Sequence, residues 1–226
     1  ITFYNPEYDS KGPVFDILSQ VVYMGTLTLV NIDKNEDGTP AERLYVKRAV
    51  GMGGDTVRFD RGDVLVRPSG TEAFQEGRDF RASNDLAQGP HRSVESGYYP
   101  ALESAAVLSA YQEEGLASFA PSYEVREYMK LEGSPYSYVF DRYGYEKART
   151  KALSSFDPSD MQLRSDAARY DNGIYVPEGY VLPLGDNRDN SRDGRYFGPV
   201  EETRINGRVI GRFWPLSAVS SLMDNQ

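Results

Sequence analysis

Apolar residues fall in short runs along this chain, separated by polar, glycine-rich stretches. Val21–Asn31 is β-branched and apolar, which predicts a buried strand. Arg43–Val50 predicts a second strand, closed by Gly51-Met52-Gly53-Gly54-Asp55. Thr56–Phe59 and Val64–Arg67 read as a hairpin around Asp60-Arg61-Gly62-Asp63. Gly173–Val181 returns to strand character, and Arg208–Leu216 is a last strand carrying the only Trp. Residues 1–20, with turn signals at Asn5-Pro6 and Gly12-Pro13, read as irregular, and Ser217–Gln226 reads as a fraying end. Through Pro68–Ala168 the periodicity weakens, Tyr is frequent, and helical patches show only at Ala101–Ser109, Glu146–Leu153 and Ser159–Ala168. The fold class expected is therefore mainly β. A core of 13–67 plus 172–226 would carry an inserted, β-rich second domain at 68–171 with short helices and no legible role.

Strand alternation singles out one cation. It puts Leu44, Val46, Arg48 and Val50 on one face and Tyr45, Lys47 and Ala49 on the other. A Lys47 buried beside Tyr and Ala would lose hydration, which lowers its pKa and leaves a neutral amine able to take a proton. The alternative is a lysine that reaches water from a sheet edge.

Composition narrows the chemistry. With no Cys and a single His, His91, thiol catalysis, disulfides and Cys/His zinc sites are excluded. A Ser-His-Asp triad would have to use His91, which lies in the loop-like Gln88-Gly89-Pro90-His91-Arg92 and is expected to be an exposed loop residue. A hydrolase is left with a carboxylate pair or a hydroxyl nucleophile served by Lys. The net charge of −9 argues against nucleic acid as a partner, because phosphate binding needs a basic face. No run reaches the length of a membrane-spanning helix.

One polar stretch resists a linker interpretation. Val181–Val200 is dense in Asp, Asn, Arg and Gly, yet is pinned between Tyr180-Val181-Leu182 and Tyr196-Phe197. It predicts an ordered, internally hydrogen-bonded loop with Ser191 near its middle, and Gly185 and Gly194 in conformations other residues resist. Asp189, Ser191, Asp193 and Gly194 imitate the start of a calcium loop, but Val200 stands where a bidentate Glu is needed. Asp33-Lys34-Asn35-Glu36-Asp37-Gly38 imitates it too and fails at Leu44, so no metal is assigned.

Two long stretches, Tyr45–Asp55 and Gly185–Gly198, resemble the bacterial type I (leader) signal peptidases. Tyr45-Val46-Lys47-Arg48-Ala49-Val50-Gly51-Met52-Gly53-Gly54-Asp55 is similar to their YxKRxxGxPGD box. Gly185-Asp186-Asn187-Arg188-Asp189-Asn190-Ser191-Arg192-Asp193-Gly194-Arg195-Tyr196-Phe197-Gly198 resembles their GDNRDNSxDSRYWG box. Gly207–Leu216 is similar to the strand closing the catalytic domain, so about half the chain is covered. The resemblance implies a β-rich Ser/Lys endopeptidase that cleaves signal peptides from exported preproteins after a small-x-small motif. It implies no cofactor, and a place at the inner (cytoplasmic) membrane with this portion on the periplasmic side, held to lipid by an upstream anchor. Lys47 would be the general base, and Ser191 would orient its amine. Asp186, Asp193, Arg195 and Arg48 would brace the site, Gly185 would let the loop pack beside the Lys, and Leu44, Tyr45 and Val46 would offer a strand edge to the substrate.

The chain also departs from that family. Its SxMxPT nucleophile box is missing, since Ser10 and Ser19 are the only Ser before Lys47 and neither has Met two residues on. The RGD-type strand box is replaced by Met24-Gly25-Thr26-Leu27, Gly53 stands where the family has Pro, and Gly194 where it often has Ser. The expectation is a nucleophile N-terminal to Ile1, with a lost nucleophile or a substitute Ser19 as alternatives. Rival classes are a non-catalytic peptide-binding or scaffolding member of the fold, a self-cleaving repressor-type Ser/Lys protein, and a calcium-binding β-module.

Overall fold

The computed structural model describes residues 1–26, 29–41, 43–79, 94–137, 141–189, 191–209, 211–212 and 220–221. His91, Trp214 and most of 208–226 lie outside them, as does Asn190. In chain order come β1 (Thr2–Tyr4), α1 (Pro13–Gly25), β2 (Leu44–Val46), β3 (Arg48–Met52), β4 (Thr56–Asp60), β5 (Asp63–Arg67) and β6 (Gln75–Glu76). Four helices follow: α2 (Tyr99–Glu113), α3 (Ser122–Met129), α4 (Arg142–Phe156) and α5 (Met161–Asn172). Then come β7 (Ile174–Tyr175), β8 (Tyr180–Leu184), the one-turn α6 (Gly194–Phe197), β9 (Val200–Glu201), β10 (Ile205–Gly207), β11 (Gly211–Arg212) and β12 (Ser220–Ser221). Two compact units form, Ile1–Val46 with Thr203–Val209, and Lys47–Glu202 with Ile210–Gln226. Residues 68–171 thus cluster with Lys47–Arg67.

In the first unit β1 pairs antiparallel with β2 and β10, giving the order β10-β1-β2. Phe3 and Tyr45 are buried and meet edge to face, ring centroids 6.0 Å apart. The strand expected at Val21–Asn31 is not one: Val21–Gly25 form the end of α1. Gly12 at φ 106° and Pro13 open this helix, because proline's fixed φ suits the first helical position. The helix is turned inside out. Asp16 and Ser19 are buried while Val14, Ile17, Leu18 and Val21 are exposed. Asp16 is held inward by Ser10 Oγ (2.6 Å), Tyr8 Oη (2.9 Å) and Arg43, whose guanidinium also donates to the Asp16 carbonyl (2.6 Å).

Among the described residues the second unit holds the two-stranded pair β11-β12 and two larger antiparallel sheets, ordered β3-β8-β9 and β6-β5-β4-β7. The shared core of the larger two is Val57, Phe59, Val176, Leu182 and Leu184, with Val50, Val64, Tyr143, Ile174 and Tyr180 packed against it. Each such side chain contributes roughly 1.5–3 kcal/mol by leaving water, which holds β4 against β8. The expected hairpin is present as β4–β5, closed by Arg61 (φ 47°) and Gly62 (φ 78°). Two left-handed residues make a two-residue turn whose twist matches the strands.

The segment expected to be β-rich is helical, and among the described residues helix outweighs strand, so the mainly-β expectation needs this correction. Ala101–Ser109 and Glu146–Leu153 lie inside the longer α2 and α4, α5 starts two residues after Ser159 and runs on to Asn172, and α3 is a helix the sequence pattern does not mark. α2 packs on α3 and α4, and α4 on α5. The buried residues of α2 are Tyr99, Ala101, Ser104, Ala106 and Ala110, and apart from Tyr99 these are small side chains that give little hydropathy contrast. Asp141 caps α4 through Gly144 N–H (3.1 Å), and Asp160 caps α5 through Gln162 and Leu163 N–H (2.8 and 2.9 Å).

Candidate active site

The antiparallel register of β3 and β8 builds the site. Arg48 pairs with Leu184, so Lys47, one residue before β3, comes opposite Gly185, one residue past β8. Lys47 does not lie within a continuous strand as alternation predicted. The strand breaks at it, β2 ending at Val46 and β3 beginning at Arg48. The half-buried Lys47 amine donates to Ser191 Oγ at 2.8 Å, across 144 residues of sequence. A Cβ on Gly185 would stand 1.9 Å from that same Oγ and 2.4 Å from Ser191 Cβ. Glycine is required there for clearance, so that the loop folds back over the strand end.

Asp193 is fully buried and anchors the loop. Its carboxylate accepts from Gly185 N–H (2.9 Å) and Arg195 N–H (3.2 Å), and from the Arg195 guanidinium at 2.9 and 3.1 Å. The guanidinium also reaches the Ser191 carbonyl at 3.4 Å. Burial works to lower the Arg195 pKa, but hydrogen bonding and the charge of Asp193 outweigh it, and the net direction is upward. Such charge-assisted bonds are about twice as strong as neutral ones. Arg48 grips Asp186 with two 3.0 Å bonds in a more exposed position. Burial pulls Arg188 down to about 10, with the charge of Asp186 opposing it.

All the predicted bracing residues thus converge, and Lys47 meets Ser191. Gly185 and Gly194 differ from expectation in one respect: neither has a positive φ. Both serve close approach, since a Cβ on Gly194 would come 2.7 Å from the Pro183 carbonyl and 2.8 Å from Leu182 Cδ1. Leu44, Tyr45 and Val46 form β2, at the edge of its sheet among the described residues, with Tyr45 buried and Leu44 and Val46 exposed. Ser19 is buried and gives its hydroxyl to the Asp16 carbonyl (3.0 Å), and Ser10 gives its own to Asp16. The strand pairing with β2 is Thr2–Tyr4. Among the described residues no cluster of three or more His, Cys, Asp or Glu could hold a metal.

Sequence reasoning missed three residues of the helical segment that reach this loop. Buried Tyr99 donates to Asp189 at 3.2 Å, and the Tyr143 ring lies 5.7 Å from the Arg195 guanidinium. Asp141 is buried, and desolvation raises its pKa, with Gly144 N–H opposing and the Asp189 charge adding to the rise. The only signal was the Asp141-Arg142-Tyr143-Gly144 start of a helix, which gives capping and not a partner.

Residues 19–214 match the family described as signal peptidase, peptidase S26. Mitochondrial inner membrane protease subunit 1 of Xenopus tropicalis is 41% identical over 75 residues, 33% of this chain and 45% of that protein. Signal peptidase IB of Staphylococcus aureus is 52% identical over 42 residues, 19% of this chain and 22% of its own. Thylakoidal processing peptidase 1 of Arabidopsis thaliana is 49% identical over 47 residues, 21% and 14% respectively. The matched stretch is less than half the length of each of these relatives. No solved structure matches. With the family match spanning most of the sequence, the chain belongs to the signal peptidase family, peptidase S26.

Proposed function

We propose that this protein is a membrane-associated serine endopeptidase of the bacterial type I kind, which removes signal peptides from exported preproteins by Ser/Lys chemistry. The observation that carries this is the Lys47–Ser191 hydrogen bond of 2.8 Å, in a loop fixed by buried Asp193. Lys47, as the free amine, takes the proton of a nucleophilic hydroxyl attacking the scissile carbonyl, and later returns it to the leaving amine. Ser191 orients the amine, and Arg195, Asp193, Arg48 and Asp186 hold the loop. The nucleophile is assigned to the SxMxPT-type box that residues 1–46 do not contain. The preprotein's cleavage segment adds as a strand at Leu44, Tyr45 and Val46, whose edge position suits β-addition. Among the described residues no helix is long and apolar enough to cross a membrane, so attachment to lipid is assigned to sequence outside them.

The test is cleavage of a preprotein with an A-x-A site by the full-length protein, beside its Lys47→Ala form. Cleavage by the first alone supports the Ser/Lys peptidase. A missing nucleophile box favours one other reading, a non-catalytic peptide-binding member of the fold. No cleavage by either folded protein would favour that instead.

A further inference from the structure

The helical segment of the second unit reaches the loop that carries Ser191 at a specific point. Arg195 is 5% exposed at its side chain, and Asp193 is fully buried. Three rings surround the guanidinium, with Cζ 5.9 Å from the Phe59 ring centroid, 5.7 Å from Tyr143 and 5.8 Å from Tyr196. Phe59 comes from β4 and Tyr196 from α6. Tyr143 alone comes from the helical segment, in the first turn of α4. It ties the cage together, its ring 5.4 Å from Phe59 and 6.3 Å from Tyr196, both edge to face. On its far side Tyr170 of α5 buttresses it at 5.4 Å.

A guanidinium out of water is attracted to the negative faces of rings, and the attraction grows as solvent is excluded. Here that attraction fixes the far side of Arg195 while Asp193 fixes the near side. Asp193 in turn holds Gly185 N–H, directly beneath Ser191. The chain of contacts therefore runs from α4 through Arg195 and Asp193 to the Lys47–Ser191 bond.

We propose that Tyr143 is a positioning residue for the Lys47–Ser191 pair, acting through the Arg195 cage, so that the helical segment takes part in setting the active-site geometry. This rests on the peptidase assignment for its kinetic readout, but its structural readout does not. In the full-length protein, Tyr143→Leu keeps an apolar filler and removes the π face, while Tyr143→Phe keeps both. Small displacements of reacting groups cost up to about 100-fold in rate. The expected result is a kcat lowered by about tenfold to 100-fold for Tyr143→Leu with KM unchanged, and wild-type values for Tyr143→Phe. In parallel, acetic anhydride labelling of Lys47, followed by mass spectrometry, should run faster in Tyr143→Leu than in wild type or Tyr143→Phe.

Wild-type kcat and wild-type labelling in folded Tyr143→Leu would overturn the proposal, as would a Tyr143→Phe as impaired as the leucine form. Should Tyr143→Leu fail to fold, pentafluorophenylalanine in place of Tyr143 keeps the shape and reverses the ring's charge distribution. It should reproduce the loss, and wild-type behaviour from it would overturn the cage. A wild-type protein that does not cleave sinks the peptidase assignment, and the labelling comparison then decides the positioning role by itself.

Discussion

Ser191 can sit over the strand end because position 185 carries no side chain. A methyl group there would overlap Ser191 Oγ at 1.9 Å, and neither atom is the loose end of a flexible chain. Gly185→Ala should therefore push Ser191 off the Lys47 amine and lower cleavage about 100-fold, while the backbone φ itself tolerates alanine. Steady-state kinetics beside Ser191→Ala checks this, since the two variants should be impaired alike. Asp141 gives a second residue-scale prediction. Burial raises its pKa, so its contribution to stability is complete below the ordinary carboxylate value of about 4 and is lost as pH rises through the raised one. Asp141→Asn cannot ionise and still accepts from Gly144 N–H. Its melting temperature should exceed that of wild type at pH 7, with the difference vanishing near the ordinary value. At this scale the site was legible where long runs of specific residues stand together, as around Lys47 and Ser191. Tyr99, Tyr143 and Asp141 were not legible, because nothing local to a tyrosine tells which distant charge its ring or hydroxyl will meet.

Among the elements, α1 shows how a pattern can mislead. Val14, Ile17, Leu18 and Val21 have the spacing of one helical face, and Gly12-Pro13 and Gly25 bracket it. The β-branched run from Val21 nonetheless reads as a strand by composition. The pattern also inverts the usual assignment, since Asp16 and Ser19 are the buried pair and Ile17 is 66% exposed. Ile17→Lys should accordingly change stability by less than about 0.5 kcal/mol, the range for surface sites, and raise solubility. Urea denaturation of the two proteins measures it. A cost of several kcal/mol would mean that the apolar face is covered. The β4–β5 hairpin was legible down to its turn, because Arg61-Gly62 is a short connection between two alternating runs. The helices α2 to α5 were under-read because, Tyr99 apart, α2 buries only alanines and one serine, whose contrast with water-facing residues is slight. Strand lengths also differ from expectation. Lys47 interrupts what looked continuous, and the β3–β8 register slips between Ala49 and Gly51, near Pro183, which has no N–H to give.

For the whole molecule, the family match runs over residues 19–214 and takes in both the Lys47 and the Ser191 stretches. Neither Ser10 nor Ser19 has a free hydroxyl in the structure, each being donated to Asp16. Residues 1–226 on their own should then neither cleave an A-x-A preprotein nor form an acyl-enzyme, by gel assay and by intact mass. Turnover abolished by Ser19→Ala would move the nucleophile into α1.

The 144 residues between Lys47 and Ser191 also impose an order in time. During synthesis at about 5–20 residues per second, on the order of ten seconds or more pass after Lys47 is made before its partner exists. The helical pairs α2–α4 and α4–α5 lie wholly between Lys47 and Ser191 in the sequence and can form in that interval. Lys47 spends it beside an absent loop. A nascent chain that ends before Ser191 cannot make the Lys47–Ser191 bond, so on the proposed assignment the amine is oriented only after that loop is made.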